Sequence, residues 1–315
     1  MRFHPILILA ITGAIFLSSW PQPTFSQGMA VQSVDCGDVL SAPGKYKLNS
    51  DLFCMTSTAA IQITSSDVHL DLNGYSVTCD GAVPGIPVGI LAIDVNNVFI
   101  TDGQISNCAT GIVLTRVQES KVTKMTLTEI GSDILGFLAN GILLTETNDS
   151  EIVRNKVNDN DVSGIVLVAS NRNKISDNET NNNQRSGITA AFGGSNDNKV
   201  VGNESNGNGI AGIAVGGPGS RNVVRGNVAN GNLGRGIVLF GFETAEGVIT
   251  SPIASGNNVQ GNTALGNAEW DLLEAAVELD LVNFVFEIVR IADGCANTWK
   301  SNDFVSQRGP QDCIY

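Results

Sequence analysis

A repeat of about two dozen residues governs the middle of this chain and constrains its fold more than any other feature. Gly-Ile pairs begin at Gly89, Gly111, Gly141, Gly164, Gly187, Gly212 and Gly236, separated by 22, 30, 23, 23, 25 and 24 residues. A unit this short cannot bury a hydrophobic face by itself. It becomes stable only by stacking on its neighbours, so the period specifies a solenoid whose core grows along an axis.

Four units can be aligned on their Gly-Ile pairs: Ser150 to Asn171, Asn173 to Asn196, Asn198 to Arg221, and Asn222 to Gly241. Asn155, Asn178, Asn203 and Asn227 stand nine residues before the Gly, Asn158, Asn181, Asn206 and Asn230 six before, and Asn160, Asn183, Asn208 and Asn232 four before. A weaker column fourteen before holds Asn97, Asn173, Asn198 and Asn222, while Asn262 and Asn267 keep two of the offsets relative to Asp271. Between them run apolar columns: Ile152, Ile175, Val200 and Val224; Ile165, Ile188, Ile213 and Ile237; Leu167, Ala190, Val215 and Leu239. Runs this short, rich in β-branched residues and punctuated by Gly and Asn, read as three short strands per repeat. Asn tolerates left-handed backbone geometry, so the Asn columns are expected at the corners, their amides bonded up and down the stack. Ladders Asn155, Asn178, Asn203, Asn227 and Asn160, Asn183, Asn208, Asn232 are therefore assigned a structural role.

The ends of the chain speak to compartment. Arg2 precedes an apolar run from Ile6 to Leu17, and Pro21, Pro23, Thr24 and Ser26 follow, which reads as a signal peptide over 1–26. The run is short for a membrane anchor. Further on, Val277 to Ile291 is interrupted by Glu278, Asp280, Asn283, Glu287 and Arg290, so no membrane span is expected after signal removal. The formal net charge of -13 argues against nucleic acid or an anionic membrane as partner. Six cysteines in an exported chain imply three disulfides. Cys36 with Cys54 and Cys295 with Cys313 suit clips at the two ends. Setting Val68 to Cys79 against Val98 to Cys108 places Cys79 and Cys108 on consecutive rungs, about 4.8 Å apart and within disulfide reach.

The pattern Asn-x-(Ile/Val)-x-x-Asn followed by Gly-Ile, as in Asn173 to Asn178 with Gly187-Ile188, resembles right-handed parallel β-helix repeat proteins of the pectate-lyase-like superfamily. The opening Cys36-Gly-Asp-Val, Pro43-Gly-Lys-Tyr, Asp51-Leu, Cys54 and Val68-His-Leu-Asp-Leu-Asn-Gly74 is similar to the first segment of exported members. The resemblance spans Cys36 to Cys313. It implies an all-β right-handed parallel β-helix with a cap and lead-in over 27–66 and the helix with its C-terminal cap over 67–315. Counting from Asp67 gives about nine turns, or about 40 to 45 Å of stack. The group contains polysaccharide lyases, hydrolases and epimerases, copper-site maturation factors and members without assigned activity.

Within that group a lyase needs a basic residue and usually Ca²⁺ held by carboxylates, and a hydrolase needs paired acids. Outward charge falls on Arg154, Asp177, Lys156, Glu179 and Glu204, with Asp159 and Asp161 nearby and Lys156 facing Glu179 on stacked turns. The candidate binding residues are Asp159, Asp161, Asp177, Glu179 and Glu204, with Arg185 and Arg235, which precede Gly-Ile strands ending in Phe192, Phe240 and Phe242. The plain alternative is a solubilising surface of weak ion pairs, with the aromatics filling space. Catalytic residues are not assigned: after signal removal the one His is His69, on a strand beside Leu70, and neither a Gly-His-Gly, a paired-Asp nor an Asp-Pro-His-Asp segment is present. No residue set is assigned to a metal, with Ca²⁺ the cofactor compatible with the exposed acids. Sequons at Asn148, Asn178 and Asn203 read as by-products of an Asn-rich repeat. Insertions at Val83 to Val88, Gly131 to Leu138, Phe242 to Gly256 and Ala275 to Ile291 should become loops, the last a strand pair rather than a helix opening at Trp270. The expected function is a secreted, periplasmic or cell-surface monomer binding an envelope or extracellular polysaccharide on its lateral face. The alternatives are a lyase or hydrolase acting on acidic glycan, and a structural or adhesive surface protein.

Overall fold

The computed structural model describes residues 30–80, 87–131, 140–191, 193–243, 249–251, 254–280, 285–291 and 297–308. Among them every regular element is a strand. Two sheets run the length of the stack, one of 14 strands and one of 13. The first passes through Val68–Asp71, Val98–Ser106, Lys121–Thr128, Glu151–Val153, Lys174–Ser176, Lys199–Val201, Val223–Arg225, Asn258–Gln260 and Thr298–Lys300. The second holds the Gly-Ile strands, among them Val88–Ile93, Thr110–Thr115, Asn140–Thr145, Ser163–Val168, Ile188–Ala190, Ala211–Gly216 and Arg235–Glu243. Pairing from turn to turn is parallel along both paths, as a coil of strand-forming repeats requires, except for the antiparallel pair that ends the second. A third, narrower face is built by Ser76–Cys79, the second halves of Val98–Ser106 and Lys121–Thr128, and Lys156–Val157. It continues as single bridges through Glu179, Glu204, Val228 and Thr263.

The apolar columns are inward files. Leu70, Ile100, Val122, Ile152, Ile175, Val200, Val224, Val259 and Trp299 follow one another in register and are fully buried or nearly so. Trp299 closes that file as core. The Ile of each Gly-Ile pair forms a second file, Ile90 through Ile112, Ile142, Ile165, Ile188, Ile213 and Ile237, and ends at Leu272. The glycine before it is a packing requirement. A Cβ on Gly111 would lie 2.4 Å from the Leu127 side chain and 2.5 Å from the Gly141 carbonyl oxygen.

Parallel pairing begins ahead of Asp67: Val31 pairs with Lys45 and Lys45 with His69, while Asp38 pairs with Ile61 and Ile61 with Ile90. The lead-in thus contributes rungs to both sheets. Cys36–Cys54 and Cys79–Cys108 are disulfides with Cα separations of 5.4 and 4.9 Å, the second joining consecutive rungs as the register requires. The signal segment, Cys295, Cys313, Phe192 and most of the first two insertions lie outside the described residues. Over 270–291 the chain forms two antiparallel strands, Trp270–Asp280 and Val285–Ile291, and no helix opens at Trp270.

The Asn columns divide differently from the sequence expectation. Asn155, Asn178, Asn203, Asn227, Asn262 and Asn302 form one buried ladder, each Nδ2 donating to the next Oδ1 at 2.9 to 3.0 Å. Asn160, Asn183, Asn208, Asn232 and Asn267 form a second, at 2.8 to 3.1 Å. The third buried ladder is Asn173, Asn198, Asn222, Asn257 and Asn297. Asn97 is displaced from it into the neighbouring column, where its φ is 54°. Nor do the ladder residues take the left-handed conformation themselves. Arg172, Asp177, Asn182, Gly202 and Gly207 do, each immediately before a ladder Asn. One left-handed residue swings the chain around the corner and turns the following side chain inward. The column six before Gly-Ile, Asn158, Asn181, Asn206 and Asn230, faces outward and is only partly buried.

Candidate functional site

The third face brings the predicted acids together. Its outward positions over three turns are Arg154, Lys156, Asn158, Asp159 and Asp161; then Asp177, Glu179, Asn181, Asn182 and Gln184; then Gly202, Glu204, Asn206 and Gly207. Lys156, Glu179 and Glu204 are successive bridge partners, so these side chains stand one rung apart, about 4.8 Å. Asp177 and Asp159 occupy the left-handed corners at either margin, with φ of 55° for both. The acids line one strip that runs along the stack axis.

Hydrogen bonds set which atoms of the strip stay available. Each outward Asn spends its Oδ1 on the backbone N–H of the next turn: Asn181 donates to Asn158, Asn206 to Asn181 and Asn230 to Asn206, all at 2.7 Å. The amide nitrogens then turn sideways. Asn158 Nδ2 donates to Glu179 Oε1 at 2.9 Å and Asn206 Nδ2 to Glu204 Oε1 at 2.8 Å, while Lys156 Nζ stands 3.3 Å from Glu179 Oε2. Asp159 accepts from Asn182 Nδ2 at 3.1 Å and Asp161 from Gln184 Nε2 at 2.6 Å. Amides thereby hold Asp159, Asp161, Glu179 and Glu204 in place with acceptor lone pairs left over. On the following turns Gly226, Gly231, Gly261 and Gly266 occupy the corner positions, and a Cβ at any of them would meet nothing within 4 Å.

The two arginines are placed elsewhere. Arg235 is 7% exposed and its Nη2 lies 2.7 Å from Glu269, with burial lowering its guanidinium pKa against the pull of that carboxylate. Arg185, half-buried, follows the acidic strip into the Gly-Ile sheet, and burial lowers its pKa too. Phe240 packs with Ala191, Ala214, Val238 and Leu273 in a small apolar cluster outside the main core. His69 lies with its ring centroid 4.6 Å from that of Phe99, and its pKa is lowered by burial and by Lys45 against the opposing effect of Asp71. Among the described residues no three Asp, Glu, His or Cys side chains are grouped as a metal would require. Sequence reasoning found the acids but missed that the middle Asn column faces solvent beside them. The signal was the Glu two residues before Asn181 and Asn206, since an inward column has no room for a charged neighbour on the same side of a strand.

A family model described as the right handed beta helix region matches residues 87–204. Among solved structures, the chain is similar to the Dettilon tailspike protein with a TM-score of 0.63 at 16% identity, covering 87% of this chain and 55% of that one. It therefore spans about half the length of that tailspike. It is similar to the D317A mutant of the periplasmic alginate epimerase AlgG with a TM-score of 0.57 at 17% identity, over 84% of this chain and 69% of that one. To the A-module of mannuronan C-5 epimerase AlgE6 from Azotobacter vinelandii the TM-score is 0.55 at 14% identity, over 90% of each chain. No curated protein matches its sequence. The described repeats, their parallel register and these likenesses agree: the chain folds as a right-handed parallel β-helix.

Proposed function

We propose that this is an exported, monomeric polysaccharide-binding β-helix whose third face receives the glycan. The observation that carries the reading is the array of acceptor carboxylates Asp159, Asp161, Asp177, Glu179 and Glu204 over three consecutive turns, with Glu179 and Glu204 one rung apart and amides holding all but Asp177. Sugar hydroxyls are donors, and hydrogen bonds from neutral donors to carboxylates are stronger than neutral pairs. A strip running along the axis suits an extended chain bound by many weak contacts. Two of the structural neighbours are named for epimerising alginate and mannuronan, which are polysaccharides, a likeness that bears on fold more than on site chemistry. Two disulfides and the signal-like segment over 1–26 support export. A glycan array read with and without Ca²⁺ tests the proposal. Retention of hydroxyl-rich oligosaccharides, weakened in a Glu179→Gln/Glu204→Gln variant, is the expected result. Silence across the array would refute the reading, and release of unsaturated uronate products would replace it with a lyase.

A further inference from the structure

We propose that Cys36 is a thiolation site, and that its capture by a low-molecular-weight thiol moves the second disulfide one rung along the stack, from Cys79–Cys108 to Cys54–Cys79. Cys54 and Cys79 are direct register partners on adjacent strands, Leu52–Cys54 and Ser76–Cys79. Cys79 is bonded to Cys108 on the next rung, with a Cα separation of 4.9 Å. Parallel partners stand about 4.8 Å apart, inside the roughly 4.4 to 6.8 Å that a disulfide spans. Cys79 therefore has two cysteines within bonding reach and one bond to give. Backbone hydrogen bonds trace the column further: Asp80 N–H donates to the Cys54 carbonyl and Gly131 N–H to that of Cys108, both at 3.0 Å, then Asp161 to Ile130 and Gln184 to Asn160, both at 2.9 Å. Past Ile130 the column becomes the second Asn ladder. Three cysteines thus hold the inward positions that amides hold later, several rungs before the acidic strip begins.

Access sets the order of events. Cys54, Cys79 and Cys108 are buried, whereas Cys36, in the turn between Val31–Ser33 and Asp38–Leu40, is exposed. A thiolate from solution therefore meets Cys36 first. Its attack on Cys36 Sγ forms the mixed disulfide and breaks the bond to Cys54, whose sulfur leaves with the electron pair. The Cys54 thiolate then attacks Cys79 Sγ, forming Cys54–Cys79 and releasing Cys108, which takes up the proton that the incoming thiol gave up. Each step exchanges one disulfide for another, so no oxidant is needed. The three sulfurs follow one another along the axis, which puts attacker and leaving group on opposite sides of Cys79, as in-line displacement at sulfur requires. Cys108 Sγ lies 3.5 Å from the Ser106 carbonyl oxygen, an acceptor for the new thiol proton. Asp35 and Asp38 flank Cys36, tied by a 2.8 Å hydrogen bond from Asp35 N–H to Asp38 Oδ2. Their charge selects a cationic thiol over an anionic one.

Exchange on the folded full chain with cysteamine and with thioglycolate tests this, quenched by acid, alkylated and mapped by mass spectrometry of peptides. Cysteamine should appear first on Cys36. A Cys54–Cys79 peptide should then accumulate as Cys79–Cys108 is lost, with the alkyl label on Cys108. Thioglycolate should react about fivefold more slowly at low salt, the gap closing as salt rises. A Cys36→Ser variant tests the exchange without added thiol, because it leaves Cys54, Cys79 and Cys108 to share one bond. Cys54–Cys79 and Cys79–Cys108 should both be recovered from it, and Cys54–Cys108, which skips a rung, should not. Should that variant fail to fold, the order of labelling in the parent protein decides alone. Thiolation of Cys79 or Cys108 ahead of Cys36, Cys36 thiolated with Cys79–Cys108 retained throughout, or Cys54–Cys108 as abundant as Cys54–Cys79 in the folded variant would each overturn the proposal. Equal rates for the two thiols would overturn its charge selectivity.

Discussion

Single residues in this protein are held by the direction of their hydrogen bonds. In the buried ladders each Asn accepts from the turn before and donates to the turn after, so an interior rung needs both capacities. Asn203 accepts from the backbone and side-chain nitrogens of Asn178 at 3.0 and 2.9 Å, and donates to Asn227 Oδ1 at 3.0 Å and the Ile175 carbonyl at 2.9 Å. Asn203→Ala should cost about 3 kcal/mol or more, since each buried partner left unpaired costs about 1–3 kcal/mol, measurable by urea denaturation. The last member of the second ladder, beyond Asn267, needs only acceptors. Asp271 supplies them: Oδ1 accepts from the side chain and backbone of Asn267 at 2.8 and 3.1 Å, and Oδ2 from the backbone of Val305 and Ser306, both at 2.9 Å. Burial pushes its pKa up, but hydrogen bonds from Asn267, Ser306 and Val305 outweigh it and hold the carboxyl below the ordinary range. A folded pKa below the unfolded one means that the unfolded chain binds the proton more tightly. The stabilisation is therefore full above about pH 4, the unfolded value, and is lost as pH falls through the folded pKa. Asp271→Asn should lower stability at neutral pH and flatten its acid dependence, and an unchanged acid limb would contradict the assignment. By contrast Ser176 Oγ is buried without a hydrogen-bond partner. Ser176→Ala should therefore be neutral or slightly stabilising.

At the scale of strands and turns, the glycine column and the disulfides set the stacking. Gly111→Ala forces a methyl against Leu127 and the Gly141 carbonyl, and should cost about 1–3 kcal/mol with a matching fall in thermal midpoint. The Cys79–Cys108 bond closes a separation of 29 residues, for which chain entropy gives about 3–4 kcal/mol. A Cys79→Ser/Cys108→Ser variant should lose protection from hydrogen exchange in the first turns before the later ones, because neighbouring repeats couple only to each other. Much of this level was legible in the sequence. The Gly-Ile and Asn columns carried period and strand type, and aligning Val68 to Cys79 with Val98 to Cys108 carried the Cys79–Cys108 pairing, because every repeat restates the same side-chain directions. What escaped was the sense of individual columns. Asn158 and Asn181 read like Asn155 and Asn178, yet a left-handed residue at position 154 or 177 decides which of them turns inward, and composition does not record φ. Asn97 was assigned to the wrong column for the same reason.

For the whole molecule, charge is sorted by face around a common core. The third face collects acids, most of them held by amides, the first sheet turns Lys174, Lys199, Arg225 and Lys300 outward over its later rungs, and one corner pairs charges along the axis. In that corner Arg172 grips Asp149 and Arg221 grips Asp197, each through two hydrogen bonds of 2.7 to 2.8 Å. These exposed pairs add little stability each, but they remove four charges from any ligand's view. The candidate site was only half legible, since the acids were visible as residues while their convergence on one strip depended on which columns face outward. Hydrogen exchange with a saturating hydroxyl-rich oligosaccharide chosen from the array tests the central claim most directly. Protection should appear in 154–161, 177–184 and 202–209, and be lost in the Glu179→Gln/Glu204→Gln variant. Protection confined to the Gly-Ile sheet, with 177–184 unchanged, would contradict it.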